Sequence, residues 1–136
     1  MSGPFTSLSV SASGMEVYRT WIDAISDNVA NVNTIRPTDE SAFRERFVVA
    51  ASVSDDPNGL GRGARVAAVR FGAAEGRLVY DPAHPLADED GMVRAPDMEL
   101  SDQMTHLIIA QRSYQANVSV FERARDSYQR ILEIGR

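Results

Sequence analysis

The chain has 136 residues, a net charge of -5 and no cysteine. That length suits one domain and is short for two, and the missing thiols exclude disulfides, thiolate metal sites and cysteine catalysis. All 14 basic residues are arginines and none form a block, so no phosphate-gripping surface for nucleic acid is expected. No stretch approaches the roughly 18 apolar residues of a membrane span, so direct membrane insertion is not expected. Residues 2–13 lack the basic region and continuous apolar core of a cleavable secretory signal, so the chain is expected to stay in the cytoplasm or to leave by a route that reads no such signal.

Residues 2–10 read as a loose, serine-rich lead-in. From about Thr6 to Val32 runs a helix-periodic stripe in which Leu8, Met15, Ile22 and Val29 alternate with Ser11, Tyr18, Ile25 and Val32. Spacings of three and four that alternate in this way place one seam on one side of a helix. Gly14 interrupts it, at about 1 kcal/mol against alanine. Asn31, Asn33 and Thr34 are poor helix formers and Pro37 forbids continuation. A lone helix of this quality is marginal in water and needs a partner.

The middle of the chain reads as β. Phe43–Val53, with Phe47, Val48, Val49 and Val53, is the first expected strand. Residues 55–63 form a turn-rich, mobile loop. Residues 65–71 alternate as a second strand, and residues 76–80 form a third that ends at Asp81-Pro82. A polar turn through His84-Pro85 and residues 87–91 leads to Met92-Val93 and Pro96. A second helix-periodic stripe fills residues 98–134, where Met104, Gln111, Val118, Arg125 and Leu132 alternate with Leu107, Tyr114, Phe121 and Tyr128. Asp97, Ser101 and Asp102 place acceptors and negative charge at its start, as free N–H groups and the helix dipole favour. Gly135 ends it.

The expected architecture is mainly α with a small β region. Residues 1–35 and 98–136 are long helices that pair in a coiled-coil-like bundle, and residues 36–97 are a strand- and turn-rich middle segment. Ser11, Gln111 and Arg125 are polar seam positions, of the kind that fix register or partner choice, or else solvent-facing positions of a partly buried seam.

Catalytic chemistry finds little support. His84 with Asp88, Glu89 and Asp90 matches no metal-ligand spacing and lacks the alternating pattern of a calcium loop. His106 has no nucleophile at a readable spacing, and Gly59, Gly61 and Gly63 precede a strand where a phosphate cradle needs a helix. No catalytic, cofactor-binding or metal-ligating residue is expected, and no small-molecule substrate.

The residues with least chemistry carry most identity. Asp27-Asn28-Val29-Ala30-Asn31-Val32-Asn33-Thr34 resembles the signature that closes the first helix of flagellar rod, hook and hook-associated axial proteins. Ala110-Gln111-Arg112-Ser113-Tyr114-Gln115-Ala116-Asn117 is similar to the same family's C-terminal helix motif. Between them, Tyr80-Asp81-Pro82-Ala83-His84-Pro85-Leu86-Ala87-Asp88 and Gly91-Met92-Val93-Arg94-Ala95-Pro96 resemble the proximal-rod type. The likeness spans nearly the whole chain. It departs at Asp97-Met98, where the family usually has Asn-Val, at Gln103-Met104, where it usually has Glu-Met, and in residues 39–45, which lack a Pro-Tyr-rich start.

The resemblance implies a non-enzymatic building block of the bacterial flagellar basal body, in the rod within the periplasmic space. It implies passage through the flagellar type III export apparatus without a cleaved signal, and partners that are other rod proteins and copies of the chain itself. The subunit-packing positions would be the apolar seam residues named above, with Asn28, Asn31 and Asn117 bonding where the helices pair. Free termini are expected to be partly unfolded until assembly. The competing readings are a cytoplasmic helical adaptor or chaperone that dimerises through its seams and, more weakly, a metal-dependent hydrolase built around His84.

Overall fold

The computed structural model of the protein describes residues 4–54 and 61–135. In chain order these form α1 (Pro4–Asn31), β1 (Arg46–Ser52), β2 (Ala64–Phe71), β3 (Arg77–Tyr80), β4 (Met92–Ala95) and α2 (Leu100–Ile134). The chain is thus mainly helical with a small β region. At 1.5 Å per residue, α1 is about 42 Å long and α2 about 52 Å.

α1 already begins at Pro4, where a loose lead-in was expected, and it passes through Gly14 without a break. Its serines do not compete with the helix because they bond within it. Ser11 Oγ donates to the carbonyl of Ser7 at 2.7 Å and Ser13 Oγ to that of Val10 at 2.7 Å. Phe5 then meets Tyr128 of α2 edge-on, with ring centroids 4.6 Å apart. At the other end Asn31 Nδ2 donates to the Asp27 carbonyl and Asn31 Oδ1 accepts from Thr34 Oγ1. These bonds satisfy backbone and side-chain groups at the point where the helix stops.

Two short sheets fill the middle, β1 with β2 and β3 with β4. Gly72 N–H bonds to the Glu45 carbonyl at one end of the first pair, and Arg62 N–H to the Val53 carbonyl at the other, so these strands run antiparallel. β3 and β4 are also antiparallel, with Arg77 opposite Ala95 and Tyr80 opposite Met92. β4 is a strand where the sequence suggested only the exit of a turn, and it is braced on its second side by a bridge between Arg36 and Arg94. The loop expected at residues 55–63 lies, over 55–60, outside the described residues. Gly76, at φ 56°, makes the turn into β3, where a Cβ would stand 2.2 Å from the Ala95 carbonyl oxygen. Only glycine fits there.

The chain divides into two compact units. One is drawn from Met1–Ile22, Val48–Ala68 and Ile108–Arg136, the other from Asp23–Phe47 and Val69–Leu107. In the first, the buried side chains are Ser11, Val17 and Ala110. In the second they are Ala24, Ile25, Ala42, Val93, Ala95, Pro96 and Met98, together with the polar Asn28 and Gln103. The second unit therefore holds most of the apolar core.

Candidate assembly surface

Each long helix buries a heptad row. On α2 the row is Gln103, Leu107, Ala110, Tyr114, Asn117, Phe121, Ala124 and Tyr128, all buried or half-buried. On α1 it is Val10, Gly14, Val17, Trp21, Ala24 and Asn28, flanked by Ser11, Tyr18 and Ile25. Leu8, Met15, Ile22, Val29 and Val32 stand half-buried beside that row, and Val118 is likewise half-buried on α2. Met104 and Leu132, together with Gln111 and Arg125, are exposed in the single chain. The expected series Leu107, Tyr114, Phe121 and Tyr128 thus coincides with half of the buried row on α2, whereas both series expected on α1 lie beside its row. Small and amide side chains occupy the centre, which allows close approach of the helices.

That approach is tightest in the first unit, where the amide of Asn117 lies over Gly14. A Cβ at position 14 would come within 2.5 Å of Asn117 Oδ1, while Asn117 Nδ2 donates back to the Ser113 carbonyl at 2.9 Å. Ser13 Oγ, on the same turn, accepts the N–H of Ala64 at the start of β2 at 3.0 Å.

In the second unit the helices are tied by amide chemistry. Asn28 Oδ1 accepts the N–H of Arg46 at 2.9 Å, and Asn28 Nδ2 donates to the Arg46 carbonyl at 3.1 Å and to Gln103 Oε1 at 3.0 Å. The side chain thus pairs with Arg46 as a neighbouring strand would, while reaching α2. Gln103 Nε2 then donates to Glu45 Oε1 at 2.6 Å. Asp27, one residue earlier, forms an ion pair with Arg46. A glutamate at 103 would set two carboxylates against each other here; glutamine supplies the donor that Glu45 needs. Gln103 carried no apolar signal, so no periodicity could have singled it out.

The flank of α2 beside its buried row is not polar throughout. Ile109, Val120 and Ile131 are 47%, 51% and 56% exposed. Their spacing of eleven residues is close to three full turns, so they form a straight line along the helix. Ile134 extends the line at the end of α2, beyond the Phe5–Tyr128 contact. Arg112 and Arg123 border it on the side away from the buried row. Exposed apolar side chains in file beside a buried row are the pattern of a helix that meets another surface.

Comparison with known proteins bears on what that surface is for. Residues 89–134 match the family described as flagellar basal body rod FlgEFG protein C-terminal. Over 97% of its length, and 97% of the relative's, the chain is 33% identical to the flagellar basal-body rod protein FlgC of Borreliella burgdorferi. The FlgC proteins of Aquifex aeolicus and Bacillus subtilis are 33% and 29% identical, again over at least 95% of both chains. The chain belongs to the FlgC family. Its three motif segments fall at distinct places in the fold. Asn28, Ala30, Asn31, Asn33 and Thr34 close α1. Tyr80, Asp81, Pro82, His84 and Pro85 run from the end of β3 into the turn before β4. Arg112, Tyr114, Gln115 and Asn117 lie on α2.

That turn is held by its own hydrogen bonds. His84 N–H bonds to the Asp81 carbonyl, and His84 Nδ1 accepts the N–H of Leu86 at 3.1 Å. Asp88 accepts the N–H of Met92 at 2.8 Å, the Thr38 hydroxyl at 2.9 Å and the N–H of Asp90 at 3.0 Å. These bonds, that from Met92 foremost, hold its carboxyl below the ordinary value of 3.8. Each carboxylate and ring nitrogen bonded in this way is engaged in closing the turn. Among the described residues no three His, Asp or Glu side chains converge as a metal site would require. A hollow of about 340 Å³ does open where Glu45, Phe47, Asp97, Met98, Glu99, Asp102 and His106 surround Gln103. No helix in the described residues is long and apolar enough to cross a membrane.

Proposed function

We propose that this FlgC-family chain is a structural subunit of the bacterial flagellar basal-body rod, built into that tube through its terminal helices. The observation that carries the reading is the exposed line Ile109, Val120 and Ile131 on a helix whose neighbouring row is already buried. Residues 1–35 and 98–136 act as the rod helices, and residues 36–97 form the segment carried between them. The partners are copies of the chain and other rod proteins, and the role calls for no catalysis, cofactor or metal. The exposed seam residues Met104 and Leu132 lie off that line and meet other neighbours in the rod.

The energetics suit assembly at a growing tip. Complete burial of an aliphatic side chain is worth about 1.5–3 kcal/mol. Three residues already half-covered therefore add about 3 kcal/mol, less than the 4–15 kcal/mol of freedom lost when two chains associate. A pair of free chains stays apart, whereas a chain that meets several neighbours at once is held. Heterologous contacts that do not close generate such a tube. We assign the route to it to the flagellar type III export apparatus, without a cleaved signal, and the destination to the periplasmic part of the flagellum. The FlgC names of the relatives support the rod reading over the adaptor reading, which no feature specifically favours.

The test is a strain lacking the gene, complemented with Ile109→Ser, Val120→Ser and Ile131→Ser together. Circular dichroism of the purified triple variant should match wild type, while swimming and recovery of the chain in isolated basal bodies should be lost. Normal swimming with the triple variant would refute the reading.

A further inference from the structure

Two sheet edges in the second unit are open, and they are opposite in character. Arg94, the central residue of β4, gives both its N–H and its carbonyl to Arg36, each at 2.9 Å. Its pairing with Leu78 is therefore one of the non-bonded positions of the ladder. The backbone groups of Leu78 and, by alternation, Tyr80 turn away from β4 to the outer edge. On β2, the bond from Gly72 N–H to Glu45 faces Phe71, and by alternation Val69, away from β1. Leu78, Tyr80, Val69 and Phe71 are all exposed, and among the described residues each sheet has only two strands. Natural edges of this kind are blunted by charge or proline; these two end in apolar residues of high strand propensity.

Their charges differ. Arg70 sits between Val69 and Phe71, and Arg44 lies 5.5 Å from the Phe71 ring. β3 runs straight into Asp81, followed in the same turn by Asp88, Glu89 and Asp90. The two arginines nearest that edge are committed elsewhere: Arg77 pairs with Glu99 at 3.1 Å, and Arg94 bonds to the carbonyls of Thr38 and Glu75. Antiparallel pairing of β2 with β2 of another copy would oppose Arg70 to Arg70. Antiparallel pairing of β2 with β3 sets Arg70 diagonal to Asp81, with Arg77 held by Glu99, and matches two outward-facing residues with two.

We propose that in the assembled state β2 of one copy adds to β3 of the next, so that the middle segments are joined edge to edge in an open, head-to-tail series. The inference rests on the rod reading, because four-residue strands add too little to hold free chains together and act only where the helices already bring copies side by side.

The chain has no cysteine, which makes cross-linking clean. Val69→Cys or Phe71→Cys is combined in one chain with Leu78→Cys or Tyr80→Cys, which covers parallel and antiparallel pairing. Oxidised basal bodies carrying the right pair should yield covalent dimers and higher multiples, and each single variant only monomer. Rods that contain all four doubly substituted chains yet give only monomer would overturn the strand pairing and leave the rod reading intact. Multimers from a single variant would also overturn it, and absence of the wild-type chain from basal bodies would overturn both readings. Should the cysteine pairs fail to incorporate, charge reversal decides. Arg70→Glu should lower incorporation about tenfold, with like charges opposed across strands, and adding Asp81→Arg in the same chain should restore it. No restoration overturns the proposal.

Discussion

Asn28 is 1% exposed and makes three hydrogen bonds, two to the backbone of Arg46 and one to Gln103. Replacing it with alanine removes all three and leaves Gln103 Oε1 without its donor in a buried place. A net 0.5–1.5 kcal/mol per bond gives about 3 kcal/mol, and the better helix propensity of alanine returns about 0.5 kcal/mol. With the unsatisfied carbonyl of Gln103 added, Asn28→Ala should destabilise the chain by about 3 kcal/mol, a large share of the 5–15 kcal/mol that holds a typical domain. Urea unfolding followed by far-UV circular dichroism measures this directly. Gln103→Ala in the Asn28→Ala background should destabilise by about 1 kcal/mol less than in wild type, since the shared bond is already gone. A loss below about 1 kcal/mol for Asn28→Ala, or strict additivity with Gln103→Ala, would refute the view that this amide ties α1, β1 and α2 together.

Three further substitutions probe other parts of the same logic. Gln103→Glu should destabilise the chain at neutral pH and recover on acidification, because the new carboxylate faces Glu45; urea midpoints at the two pH values read it. Gly14→Ala should not yield the roughly 1 kcal/mol of helix propensity it would gain elsewhere, since its methyl meets Asn117 Oδ1; the thermal midpoint should rise only when Asn117→Ala is added. Asp88 has a folded value held below 3.8, so the stability it contributes is present above 3.8 and is lost as pH falls through the lower folded value. Asp88→Asn should accordingly weaken the turn at neutral pH and flatten the acid limb of a stability–pH curve.

How much of this was legible in the sequence depended on residue type. Large apolar residues on a seven-residue period revealed both long helices, the flank of the α1 row through Tyr18 and Ile25, and half of the α2 row through Leu107, Tyr114, Phe121 and Tyr128. The centre of the pairing is made of Gly14, Ala24 and Asn28 on α1 and Gln103, Ala110 and Asn117 on α2, small or amide residues that a search for large apolar side chains passes over. They are inside because they are small enough for close approach or because an amide can satisfy a partner across the gap. β1, β2 and β3 were legible from β-branched residues between turn signals. β4 was not, since Met92, Val93, Arg94 and Ala95 are too few and too mixed to carry a period, and the strand exists because Arg36 and β3 supply ladders on both sides. The line Ile109, Val120 and Ile131 follows an eleven-residue spacing that a search for heptads passes over.

Those two spacings on α2 divide its labour. A heptad row drifts by about 20° per repeat around a straight helix, so it suits a partner that winds with it, whereas eleven residues fall close to three whole turns and keep a straight file. The heptad row faces α1 within the chain and the file stands exposed on its flank, which lets one helix serve an internal pairing and an external contact. The internal pairing must then be fixed in register, because sliding by one repeat would shift the outer file along the axis by about 10 Å. Apolar rows alone tolerate such slips. The bond from Asn28 to Gln103 does not, since a shift would strand both amides in a dry seam. The polar residues at the centre of the seam thus set where along the chain the outer face is presented, and the aliphatic line on that face supplies the contact itself.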